Sequence, residues 1–171
     1  MSDILPDVLA HDLRVVFCGM AASKKSAQVG AYYAGPGNRF WAILHQSGLT
    51  PRQLAPAEFR DLPTFGIGLT DIVKRQSGND DELDFSGSDP EGLRARILEY
   101  QPRVLAFNSK SAALQFYARK SLDYGLQPER IGATQIFVLP STSARNAHWP
   151  KLVPHWHDLA ADLAAPPEPR D

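Results

Sequence analysis

The chain has 171 residues, 43% hydrophobic and 22% charged, with a net charge of −1, which suits one packed core and excludes a strongly basic nucleic-acid coat. No apolar run approaches the roughly 20 residues needed to cross a bilayer, and Met1-Ser2-Asp3-Ile4 lacks a basic stretch before an apolar one, so a soluble, cytoplasmic monomer is expected. The single cysteine, Cys18, excludes an internal disulfide and a cysteine-based metal cluster, which fits a reducing cytoplasm; no metal or cofactor is expected.

In chain order, Leu13 to Gly19 reads as a strand, because Val15-Val16-Phe17-Cys18 is a continuous apolar run ending in Gly19-Met20-Ala21-Ala22-Ser23. A small-residue loop to Pro36 follows, then a helix from about Asn38 to Ser47 closed by Gly48. Pro56 to Leu62 predicts a short helix with proline at an acceptable early position. The glycine-interrupted run Phe65 to Val73 predicts a short strand or turn leading into a helical turn. Gln76 to Pro90 is acidic and rich in Gly and Ser, which marks a surface loop expected to lie away from any phosphate. Leu93, Ile97 and Leu98 give a helix from Pro90 to Gln101-Pro102, and Val104 to Phe107 is a buried strand. Ser109 to Lys120 is a helix with Ala112, Ala113, Phe116 and Tyr117 on one face, and Gln135 to Leu139 is the last core strand. A terminal helix buries Leu152, Val153, Trp156, Leu159, Ala160 and Leu163. Residues 1–165 then form one domain, and Pro166 to Asp171 a flexible proline-rich tail.

Strands separated by helices make a parallel sheet, and ligands bind such sheets at the carboxyl edge of the strands. Two candidate loops leave that edge: Gly19 to Ser23, and Pro140-Ser141-Thr142-Ser143-Ala144-Arg145-Asn146. Lys24-Lys25, Arg39, Lys74-Arg75, Lys110, Arg145 and Lys151 flank the motifs, and predict a basic rim on a weakly negative body.

Four stretches in order, Leu13 to Gly19 with Gly30-Ala31-Tyr32-Tyr33-Ala34-Gly35-Pro36-Gly37-Asn38-Arg39-Phe40-Trp41, Tyr100 to Arg103, Phe107 to Lys110, and Pro140 to Arg145, resemble the mismatch-specific uracil and thymine DNA glycosylases. The matches run from about Leu13 to about Trp149. The resemblance implies a three-layer α/β/α sandwich on a central, mainly parallel four-stranded sheet. It implies a monofunctional enzyme that flips uracil out of single- or double-stranded DNA and removes it by hydrolysis, initiating base excision repair.

Such chemistry needs a grip on the extruded base, stabilisation of charge on the departing pyrimidine, and water at C1′. The resemblance places Tyr33 as the ring stacked on the base, with the N–H groups of Met20 and Tyr33 facing its oxygens; alternatively Tyr32 and Tyr33 pack over the sheet edge. Gly19, Met20, Ala21 and Ser26 belong to the same pocket, and Ser26, Ala22 and Tyr33 would set the room for a thymine methyl group or hypoxanthine. Asn108 can donate to a carbonyl and accept from pyrimidine N3–H, or cap the helix at Ser109-Lys110. Ser141, Thr142 and Ser143 offer hydroxyls and N–H groups to phosphates, although turns use the same residues. Lys110 adds a charge, and Arg145, with Ala144 beside it, matches the wedge that fills the gap in the duplex. His148 follows the wedge and is a further pocket candidate.

One departure matters. The family carries Gly-Ile-Asn-Pro-Gly where this chain has Gly19 to Ser23, and Ala21 cannot hold the water that the asparagine positions. The catalytic candidates become Asp71 and Ser23, with Ser26 as a third hydroxyl; Asp71 could instead cap the turn at Ile72-Val73. Lys24 and Lys25 read as solvated or phosphate-facing, so no amine nucleophile and no lyase step is expected. The rival readings are a catalytically weak sensor of uracil or abasic sites, and a nucleotide-binding α/β domain, for which no glycine-rich phosphate motif follows the first strand.

Overall fold

The computed structural model describes residues 2–167; Met1 and residues 168–171, which hold most of the expected tail, lie outside the described residues. One five-stranded sheet runs in the order β2-β1-β3-β5-β4, with β1 at Val15–Gly19, β2 at Ile67–Asp71, β3 at Val104–Phe107, β4 at Gly125–Ile131 and β5 at Thr134–Val138. The four strands expected from sequence are parallel neighbours. The fifth, β4, is an added antiparallel edge. Its Pro128 lies in a strand whose register shifts between Leu126 and Arg130, which an edge tolerates and an interior strand would not.

The two central strands β1 and β3 are apolar throughout because both faces are covered. Their alternation divides the core in two. Val15, Phe17, Val104, Ala106 and Phe137 point to a cluster with α2 (Phe40–Gln46) and α6 (Pro154–Ala164). Val16, Cys18, Leu105, Phe107 and Ile136 point to one with α3 (Pro90–Tyr100) and α4 (Lys110–Tyr117). In the first layer Trp156 stacks on Phe17 with centroids 5.3 Å apart, and its indole N–H donates to the Pro140 carbonyl at 3.0 Å. That bond pins the base of the loop after β5 to α6.

Several local expectations are corrected. The loop after β1 contains a helix, α1 (Lys24–Val29), begun by Ser23 and closed by Gly30 in the left-handed region. The helix ending near Ser47 is closed by Gly48 at φ +84°, as its position predicts, but it begins at Phe40. Pro56–Phe65 is a tighter 3₁₀ turn. No helical turn follows Asp71, because the Ile72 and Val73 N–H groups are taken by the Gly19 and Met20 carbonyls, which prolongs the β1–β2 pairing. The terminal helix is divided into α5 (Trp149–Leu152) and α6 by Pro154.

Candidate active site

The carboxyl ends of four adjacent parallel strands deliver the site. In sheet order they contribute Asp71 from β2, Gly19 and Met20 from β1, Asn108 after β3, and Ser141 to Ser143 after β5. All line one cleft of about 580 Å³ together with Ala21, Ser23, Ser26, Tyr33, Lys110 and Arg145. Of the residues expected from sequence, Ala144 and His148 are not brought to it: Ala144 faces Gly37, where an added Cβ would lie 3.1 Å from it, and His148 is exposed.

Asp71 is the last residue of β2 and pairs in register with Gly19. It caps nothing, and only 4% of its surface is exposed. Burial raises its carboxyl pKa to about 6; Lys74 pulls it down and Asp7 pushes it up, but burial prevails. Lys74 is held away from solvent by Asp7 at 2.8 Å, the Leu5 carbonyl at 2.9 Å and the Tyr32 hydroxyl at 3.3 Å. It is an internal counter-charge and does not belong to a basic rim.

Tyr33 is stacked on Phe40, centroids 4.0 Å apart and planes inclined by 26°. Its φ is +53°, unusual for a bulky residue, so the surrounding packing holds the ring in place. Among the described residues, the N–H groups of Met20 and Tyr33 meet no protein acceptor, which leaves two backbone donors unspent in a pair of cleft residues.

Asn108 neither caps α4 nor points freely into the cleft. Ser109 is the cap, accepting from the Ala112 N–H at 3.1 Å. The Asn108 carboxamide instead donates to Thr142 Oγ1 at 2.9 Å and accepts from the Thr142 N–H at 3.1 Å, both groups buried, so it clamps the ends of β3 and β5 together. Thr142 is therefore largely committed to the clamp. In the same loop Ser141 Oγ accepts from the Ser143 N–H and Ser143 Oγ from the Arg145 N–H. Arg39 donates to the Ser143 carbonyl at 2.8 Å and lies over Trp149, which makes it a strut. Among the described residues, the Ser141 and Ala144 N–H groups meet no protein acceptor.

Ser23 accepts from the Ser26 N–H at 3.0 Å and donates to Ser26 Oγ at 3.1 Å, and Ser26 Oγ accepts from the Ala34 N–H at 3.0 Å. The two hydroxyls thus fold the loop that presents Tyr33. Lys110 sits 4.2 Å from the Tyr124 ring centroid.

The acidic segment expected to stand apart lines the cleft through Gly78, Asn79, Asp80 and Asp81. The Gly78 N–H donates to the Ala22 carbonyl, which stitches this segment to the loop after β1. Asp81 lies 3.8 Å from Arg145, and Glu82 pairs with Lys24 at 2.5 Å. The rim is mixed in sign because the chain folds this segment back. Neither Asn79 nor Asn38 stood out in the sequence, since asparagine in a loop is what ordinary turns use.

No group of three or more residues able to hold a metal ion occurs among the described residues. Residues 6–163 match the profile of the Uracil DNA glycosylase superfamily. The fold is similar to the solution NMR structure of a candidate uracil DNA glycosylase from Methanosarcina acetivorans, with a TM-score of 0.66, 22% identity, and coverage of 94% of this chain and 97% of that one.

Proposed function

The chain belongs to the uracil DNA glycosylase superfamily, and from that premise we propose that it is a monofunctional glycosylase that removes uracil from DNA by hydrolysis. The observation that supports this reading is the row of strand ends: a buried carboxyl, a stacked aromatic ring, unspent backbone donors and a serine-rich loop with an exposed arginine all border one cleft.

The uracil lies on the free face of Tyr33, whose other face rests on Phe40. The Met20 and Tyr33 N–H groups meet the pyrimidine oxygens as negative charge develops there, where one well-placed donor is worth about 3 kcal/mol. Asp71 holds the water in place of the asparagine that Ala21 replaces, and its negative charge favours the cationic sugar. Ser23, whose proton and one lone pair serve Ser26, shapes the loop and leaves the water to Asp71. The Ser141 N–H group and Lys110 meet the flanking phosphates, while Arg145 enters the emptied stack. The mismatch-specific subfamily is the branch we favour, on the four motifs that resemble it. We infer a cytoplasmic setting, nucleoid-associated if the protein is bacterial.

The test is incubation of the purified protein with a uracil-containing oligonucleotide, then alkali. Strand breaks at uracil are expected. An intact oligonucleotide that the protein still retards in a gel would favour the sensor reading, and breaks at thymine or hypoxanthine would widen the substrate range.

A further inference from the structure

We propose that Tyr33 has a second task beside stacking: its hydroxyl and the Asp71 carboxylate together hold the hydrolytic water above the bare Cα of Gly19. This rests on the glycosylase reading and adds to it a catalytic group that ring stacking does not require.

Gly19 is the pivot. A Cβ built there would lie 2.8 Å from Asp71 Oδ1 and 3.2 Å from Tyr33 Oη, so both oxygens converge on, and crowd, the position that a side chain would take. They do not bond to each other, yet their common approach to one point puts them within bridging reach of a single water. The register of β1 and β2 fixes the arrangement, because Gly19 and Asp71 are direct neighbours.

Tyr33 Oη is buried and has no hydrogen-bond partner. A buried hydroxyl left alone destabilises the fold, and phenylalanine would give the same stacking without that cost. Neighbouring polar groups do not relieve it: Ser26 Oγ is turned to Ser23 and the Ala34 N–H, and Lys74 to Asp7, while the Asn108 amide, the polar group beside the phenol, is bonded to Thr142 and makes no hydrogen bond to Tyr33 Oη. The left-handed backbone at Tyr33 and the Phe40 stack hold the ring so that its hydroxyl stays aimed at this spot. Burial first, then the nearby Asp71 charge, push the phenol well above its ordinary pKa against an opposing pull from the Asn108 amide, so it remains a proton donor.

The step then balances. Tyr33 O–H donates to one lone pair of the water, and the water gives one hydrogen bond to Asp71. The second lone pair forms the bond to C1′ while the C1′–N bond breaks and its electron pair passes to the pyrimidine. The water's proton moves to Asp71, leaving a hydroxyl on C1′.

Tyr33→Phe keeps the ring and removes the hydroxyl. Single-turnover release of uracil at saturating protein should fall about a hundredfold, the range of one displaced proton-handling group. Affinity for an oligonucleotide carrying an abasic analogue should stay within twofold, and the melting temperature should not drop. Tyr33→Leu should lose affinity as well. Gly19→Ala, which puts a methyl group where the two oxygens converge, should match Tyr33→Phe in rate. A Tyr33→Phe protein within threefold of an active parent would overturn this inference alone, whereas a parent that releases no uracil would overturn the glycosylase reading and this one with it. In a crystal structure, an ordered oxygen within hydrogen-bond distance of both Tyr33 Oη and Asp71 supports the site, and direct contact of Tyr33 Oη with some other protein group overturns it.

Discussion

Asp71 concentrates the tension between stability and chemistry in one side chain. Its folded pKa of about 6 lies above the ordinary aspartate value, chiefly through burial. Between those two values the folded state binds the proton more tightly than the unfolded chain, so stability is complete at low pH and is lost as pH rises through 6. A shift of about two pH units corresponds to about 3 kcal/mol of destabilisation at neutral pH. Asp71→Asn should therefore raise the melting temperature at pH 7.5, leave it nearly unchanged at pH 4, and cut the single-turnover rate at least about a hundredfold. The rate of the parent should also rise with pH through an apparent pKa near 6, a limb missing from the variant. Equal melting temperatures at pH 7.5, or a rate within a few-fold of the parent, would remove Asp71 from its role. The sequence marked this residue as a candidate beside Ser23 and Ser26 and could not choose, because a strand-terminal aspartate and a helix cap look alike until pairing of Ile72 and Val73 with β1 is known.

At the scale of elements, the strands were legible and the junctions were not. β1 and β3 are continuous apolar runs and β5 ends in one, Ile136 to Val138, a pattern that suits a sheet covered on both faces. β4 alternates buried and exposed positions around Pro128, so its pattern resembles a loop until β5 is beside it. α1 escaped notice because six residues with one buried serine carry no apolar period. The Asn108–Thr142 clamp was equally hidden, since its partners are 34 residues apart. It joins the pocket side of β3 to the loop that carries Arg145, and Asn108→Ala should disturb both. Two buried hydrogen bonds disappear and the Thr142 N–H loses its acceptor, at a cost of about 2–3 kcal/mol. Denaturant unfolding should register that loss, and limited proteolysis should speed up within residues 141–146. A variant as stable as the parent, with the loop equally resistant, would mean that Arg39 and Trp156 suffice to hold it.

Across the whole molecule the charge layout departs most from the sequence-based expectation. Composition predicted a basic rim on a weakly negative body, but Lys74 is internal, Arg39 braces a loop, and Lys24 is paired with Glu82. The charged residues lining the cleft are Lys110 and Arg145 against Asp71, Asp80 and Asp81. Few cations remain for phosphates, so the logarithm of the duplex affinity should fall with the logarithm of salt at a slope of about −2 or shallower. The Asp81–Arg145 pair is wide and exposed on both sides, and such pairs contribute at most about 1 kcal/mol. A base stack or a phosphate can draw Arg145 away from it, so the acidic segment moderates binding without closing the cleft. Neutralising that segment with Asp80→Asn and Asp81→Asn together should tighten DNA binding about tenfold at low ionic strength, with little gain at half-molar salt, where exposed charges are screened beyond a few ångströms. Fluorescence anisotropy across a salt series measures both. An unchanged affinity would show that the acids do not face the DNA, and a gain that persists at high salt would mean that the substitutions act through loop shape and not through charge.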